Sequence, residues 1–180
     1  MPSITGLQLP IDWTAFGWST SPRFGNVTCT TGDPVWAWEP AAPAFGINVF
    51  DPPEGMTVES FVVDHIVLLV PSLDTAIATI ERSGAHPRLR MHVKERPAAF
   101  FRVGPVLEVI ESPVRDASIF GIALATDRSL EALSLEWKAL GLSIGHITDA
   151  VQPGRRIMTV HDLDAGFAVM STDRAIDQIS

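Results

Sequence analysis

The sequence predicts an α+β fold built from one strand-helix-strand-strand-strand unit written twice. Three observations carry this. Residues 61–112 read as "VVDHIVLLV", "SLDTAIATIERSG", "PRLRMHV", "PAAFFRVG" and "VLEVIES", and residues 118–171 repeat the order as "IFGIALAT", "SLEALSLEWKALG", "LSIGHITDAV", "RRIMTVHD" and "GFAVMS". The strand-like runs are rich in Val, Ile and Phe. Each repeat holds one segment with apolar residues at helical spacing, which needs a sheet to cover.

The first helix is expected to start at Ser72 as N-cap, with Asp74 in its first turn and Gly84 beyond its end. Leu73, Ala76, Ile77 and Ile80 form its apolar stripe. In the second repeat Ser129 or Asp127 caps, Leu130, Leu133, Trp137 and Leu140 make the stripe, and Gly141 closes. "HIVLLV" and "IALA" are apolar on both faces, as interior strands are. In "VLEVIES" the alternation sends Glu108 and Glu111 to opposite faces, one toward helix or solvent and the other into the hollow of a curved sheet.

Residues 1–60 differ in texture. They hold eight of the 14 prolines and Trp13, Trp18, Trp36 and Trp38, four of the five tryptophans. Proline at this density excludes long helices and disfavours central strands, so the segment is expected to be irregular, with short strands at most in "GNVTCTTGD" and "PAFGINVF". Its tryptophans are expected to seal the sheet, with a lid over a pocket as the alternative. The domain plan is therefore 1–60 as this covering segment, 61–112 as the first module and 113–180 as the second.

Composition narrows the function. The chain has 180 residues, is 46% hydrophobic and carries a net charge of −8. That is a globular chain able to bury a core, and its acidic balance argues against nucleic acid as a partner. No apolar run approaches the roughly 20 residues that span a bilayer, and the first ten residues lack a signal-peptide pattern. Cys29 is the single cysteine, so no intrachain disulfide forms. A cytoplasmic protein is the expectation. Phosphate-binding, dinucleotide-binding, CxxC and nucleophile-elbow motifs are absent.

The stretches "VDHIVLLVPSLDTAI" and "AFFRVGPVLEVIE" resemble the vicinal oxygen chelate superfamily, the glyoxalase, bleomycin-resistance and extradiol-dioxygenase group. The resemblance runs over residues 61–171 and is stronger in the first repeat. It implies that the two βαβββ modules pair into a cupped half-barrel, with ligands for a divalent ion on the first and last strands of both modules. His65 and Glu108 stand at two such positions, a metal pair that is incomplete: superposing the repeats sets Gly121 opposite His65 and Ala168 opposite Glu108. Catalytic metal sites generally use three protein ligands. A third would have to come from His92, His146 or His161.

Two functions follow as expectations. One is a small-molecule-binding protein with a metal-free apolar cup, like the drug-binding branch of the superfamily. The other is a divalent-metal-dependent lyase, isomerase or dioxygenase using His65, Glu108 and a third ligand. Glu108 is the expected catalytic general base, and His65, Arg90, Phe101 and Arg102 the expected ligand-binding residues. Arg88, Arg90 or Arg102 is the alternative partner for Glu108, as an inert ion pair. Arg155 and Arg156 join the arginines that would line the path of an anionic ligand, or else sit as solvated hairpin charges. A homodimer is expected as well, since such sheets also pair between chains.

Overall fold

The computed structural model describes residues 1–172. The first sixty residues build a five-stranded sheet from β1 (Ser3–Leu9), β2 (Pro22–Phe24), β3 (Val27–Thr31), β4 (Val35–Glu39) and β5 (Met56–Thr57), in the order β4-β1-β3-β2-β5. This corrects the expectation of an irregular segment. The strands are short, and the prolines sit where they cost little: Pro22 starts β2, while Pro40, Pro43, Pro52 and Pro53 lie in the loop after β4.

The first module is β6 (Phe61–Val70), α1 (Leu73–Glu81), β7 (Pro87–Val93), β8 (Arg96–Arg102) and β9 (Val106–Glu111). The second is β10 (Ser118–Thr126), α2 (Leu130–Ala139), β11 (Ser143–Ile144), β12 (Thr148–Asp149), β13 (Arg156–His161) and β14 (Gly166–Ser171). The expected single strand at 142–151 is split in two at residues 145–147, where only the Gly145 amide still bonds β13, at the Thr159 carbonyl. The expected second module runs to residue 180, and residues 173–180 lie outside the described residues.

Together the modules make one nine-stranded sheet, β11-β13-β14-β10-β6-β9-β8-β7, with β12 pairing β13. In each module the last strand runs parallel to the first, and the two first strands meet antiparallel at the centre. The register confirms the duplication residue by residue. His65 pairs with Val106 and Val67 with Glu108, while Gly121 pairs with Gly166 and Ala123 with Ala168. His65 and Gly121 are thus equivalent, as are Glu108 and Ala168.

Both helices pack on one face of this sheet. Ser72 accepts from the Thr75 amide and Ser129 from the Ala132 amide, as N-caps do. Glu111 adds a side-chain acceptor for the Leu73 amide at 2.9 Å, which fixes the start of α1 against β9. The α1 stripe of Leu73, Ala76, Ile77 and Ile80 is buried, as are Leu130, Leu133 and Trp137 on α2. Leu140 departs from the expected stripe: it is the C-cap of α2 and half exposed.

The N-terminal sheet joins the helix-bearing side. Trp13, Phe16, Trp18 and Phe24 pack against Phe61, Trp137 and Phe167 at ring separations of 4.9–6.4 Å. Phe61, Trp137 and Phe167 all belong to the core beneath α2, so these tryptophans brace the back of the sheet and stand away from its concave face. Trp36 packs on Trp38 and Phe45 within the same N-terminal unit. Cys29, on β3, is fully buried, and burial pushes its thiol well above the ordinary range, which removes any nucleophilic role. Among the described residues no helix is long and apolar enough to cross a membrane.

Candidate functional site

The concave face opposite the helices is mapped by the strand register. One row runs Ala168, Ala123, His65, Val106, Arg102. The next runs Gly166, Gly121, Val67, Glu108, Phe100, Leu89. The first module supplies His65 and Glu108 to these rows, and Thr159 of β13 continues the first row beside Ala168. The second module supplies Gly and Ala at the equivalent places.

His65 and Glu108 sit on adjacent strands and meet: Nε2 of His65 lies 3.3 Å from Oε2 of Glu108, with the side chains 16% and 12% exposed. That is shielded enough to strengthen electrostatics while both groups keep some contact with solvent. Burial pushes the Glu108 carboxyl above the usual carboxylate range; the facing His65 opposes this and the Asp64 charge adds to it. None of the arginines weighed as its partner reaches it. Arg90 lies on the helix side, where it bonds Asp74 of α1 at 3.0 Å. Arg102 shares the concave face but is exposed on β8. Phe101, expected at the ligand, is fully buried in the core beneath the helices, and its neighbour Phe100 fronts the concave face beside Glu108. A strand shows alternate residues to opposite sides, and the adjacent pair of phenylalanines hid which one.

Asp64 and Arg155 complete the polar cluster, and the residue pattern concealed both roles. Strict alternation would turn Asp64 away from His65. Instead β6 carries a bulge: Ala123 pairs with His65 and Leu124 with Val63, so Asp64 is the extra residue and both side chains face the concave side. Oδ2 of Asp64 accepts from Nδ1 of His65 at 2.8 Å, and Oδ1 accepts from Arg155 at 2.8 Å. Burial alone would raise the Asp64 carboxyl; the hydrogen bonds from His65 and Arg155 outweigh it and hold the group below its ordinary range. Arg155 stands in the turn before β13, and its Nε donates to the Ser171 carbonyl at 2.9 Å. Its charge therefore meets Asp64 and is not left for an anionic ligand. The equivalent bulge on β10 falls at Phe120, between the pairs Ile119–Leu68 and Gly121–Val67.

Among the described residues no group of three or more His, Cys, Asp or Glu side chains is placed to hold a metal ion. His92, His146 and His161 do not supply the third ligand to His65 and Glu108. Both ring nitrogens of His65 already face carboxylates. Position 121 admits no side chain at all, because a Cβ there would lie 2.1 Å from the Gly166 carbonyl oxygen. The donors present do not fit the divalent-ion cage that the resemblance implies.

An open groove of about 490 Å³ lies at the Phe120 end of the sheet, walled by Leu69, Phe120, Val160 and Leu163 and edged by Asp162 and Asp164.

No family model matches the chain, and no curated protein matches it by sequence. Solved structures do. Methylmalonyl-CoA epimerase from Mycobacterium tuberculosis superposes with a TM-score of 0.53 at 15% identity, over 64% of this chain and 91% of its own. A hypothetical protein from Bacillus halodurans gives a TM-score of 0.54 at 18% identity, over 63% and 96%. A methylmalonyl-CoA epimerase in complex with methylmalonyl-CoA and NH4+ gives 0.51 at 16% identity, over 63% and 96%. The epimerases are members of the vicinal oxygen chelate superfamily. This chain has the vicinal oxygen chelate fold. At these identities the likeness is one of fold. The vicinal oxygen chelate sheet is here complete within a single chain, since both modules and the central β6–β10 seam come from it.

Proposed function

We propose that this protein binds a small organic molecule on the concave face of its paired sheet without a resident metal. The observation that carries the reading is the distribution of side chains over the four equivalent positions. Two of them hold His65 and Glu108, in contact at 3.3 Å, and the other two, Gly121 and Ala168, have nothing to coordinate with. What remains is a polar pair beside the small residues Gly121, Ala123, Gly166 and Ala168, of which Gly166 borders the open groove at Phe120. Sites for small molecules combine an apolar surface with a few placed polar groups in this way. A buried Glu108 with a raised carboxyl accepts a hydrogen bond when ionised and donates one when protonated, so a neutral carbonyl, hydroxyl or amide is the polar group it suits. That one solved neighbour of the same fold holds methylmalonyl-CoA supports a small organic ligand for this face.

The test is thermal unfolding of the purified protein with and without Zn²⁺, Ni²⁺, Mn²⁺ and Fe²⁺, with metal content measured in parallel. The expected result is no stoichiometric metal and no stabilisation. A metal present at 100 times its Kd would add about 2.7 kcal/mol, and such a shift, lost in His65→Asn, would overturn the metal-free reading in favour of a metal-dependent enzyme. A screen of small organic molecules by the same readout should return ligands whose stabilisation disappears in Glu108→Ala.

A further inference from the structure

We propose that Arg155 is a positioning residue for the His65–Glu108 pair, acting through Asp64, and that it is the second module's contribution to the site. The inference rests on the reading above only in placing the ligand at His65 and Glu108.

The geometry is a chain of directed bonds. Arg155 is anchored in its own module by its Nε bond to the Ser171 carbonyl at 2.9 Å. Its backbone is held in the same turn: its amide donates to the Gln152 carbonyl and its carbonyl accepts from the Ala150 amide. From that anchor its guanidinium crosses to the first module and donates to Oδ1 of Asp64 at 2.8 Å. Asp64 is then pinned with its other oxygen 2.8 Å from Nδ1 of His65. Of the two carboxyl groups that face the ring, Asp64 at 2.8 Å makes a hydrogen bond and Glu108 at 3.3 Å makes none, so the neutral ring keeps its proton on Nδ1. Nε2 is thereby turned to Glu108 at 3.3 Å and to any molecule on the concave face. Arg155 and Asp64 are 14% and 20% exposed, so the pair is sheltered from water competition.

Each link needs a feature that serves no other evident purpose. Without the bulge, Asp64 would face the helices. Without Arg155, the Asp64 carboxylate would be half-buried, with its free oxygen able to swing away from the imidazole. Lysine in place of Arg155 could meet Asp64 but not also hold the Ser171 carbonyl through a planar fork. In the metal-binding arrangement implied by the resemblance, an ion ties the two modules together at this spot. Here a guanidinium–carboxylate pair spans the same seam and, instead of ligating, sets which nitrogen of His65 is protonated.

The experiment reads that nitrogen directly, in the full chain and with no ligand present. Protein labelled with ¹⁵N is examined by long-range ¹H–¹⁵N correlation of the imidazoles at pH 8, with His65 assigned by its loss in His65→Asn. The proposal expects His65 as the Nδ1–H tautomer in the wild type, the less common form in free histidine. It expects a shift to mainly Nε2–H in Arg155→Gln, with the remaining histidines unchanged, and an intermediate position in Arg155→Lys. A wild-type His65 in the Nε2–H form overturns the proposal, and that measurement needs no variant to fold. An Arg155→Gln protein that is less stable but keeps the Nδ1–H tautomer also overturns it, since Arg155 would then be structural only. Because no ligand enters, this outcome is independent of whether the concave face binds one.

Discussion

Gly121→Ala tests the claim that the second half of the ion cage is closed by backbone. Gly121 pairs with Gly166 in the parallel ladder between β10 and β14. A Cβ built on Gly121 falls 2.1 Å from the Gly166 carbonyl oxygen and 2.6 Å from both its carbonyl carbon and its Cα. Ordinary carbon–oxygen contacts are more than 3 Å, so the overlap is about 1 Å and all of it is against main chain. No rotamer relieves it. The two strands must move apart where both lie in the middle of the sheet. Overpacking of this kind costs about 1–3 kcal/mol and occasionally more, and the absence of a movable side chain places this case near 3 kcal/mol. For a chain of this size that corresponds to a fall in Tm of about 6–12 °C. Differential scanning calorimetry or circular dichroism melts would measure it, with Ala168→Ser as a control on the same face. A Gly121→Ala protein melting within 2 °C of the wild type would show that the strands part easily. The argument that position 121 excludes a ligand side chain would then fail.

Other expectations follow from the same geometry. Burial raises the folded-state Glu108 carboxyl above its unfolded value. Its contribution is therefore full at acid pH and is lost as pH rises through the folded value, so Glu108→Gln should gain stability relative to wild type at pH 7–8 and show no gain at pH 4 in denaturant melts. Asp64 has the opposite sign, being held low by His65 and Arg155. Its contribution should fade only as pH drops below the ordinary carboxylate range, and Asp64→Asn should flatten that acid limb. Trp137 is almost fully buried and contacts Phe16, Trp18, Phe61 and Phe167. Trp137→Ala should cost about 3–5 kcal/mol in chemical denaturation, because it empties the joint between the N-terminal sheet and α2.

The duplication was legible because helix caps, apolar stripes and Val/Ile-rich strands recur in one order, and these are local signals. The meeting of His65 and Glu108 followed from the family resemblance, which implies ligand positions in one hollow; "HIVLLV", apolar on both faces, carries no phase of its own. What the residues hid was non-local. Asp64 reaches the site through a bulge, and nothing in "VVDHIV" announces one; only pairing with β10 reveals it. Phe100 and Phe101 are chemically the same, so composition could not phase β8. The N-terminal sheet escaped notice because its strands pair out of chain order, with β1 between β3 and β4. Proline density marks loops but says little about the short strands between them. Arg155 read as a hairpin charge because its partner is 91 residues away.

The two bulges have a consequence for how this molecule can be occupied. They stand at matching places in the doubled backbone, yet one turns an acid toward the hollow and the other a phenyl ring. A perfectly repeated cup would offer a guest two interchangeable poses, head to either end. With Asp64 at one kink and Phe120 at the other, the two ends are no longer equivalent, and the proposed ligand is expected in one orientation at one per chain.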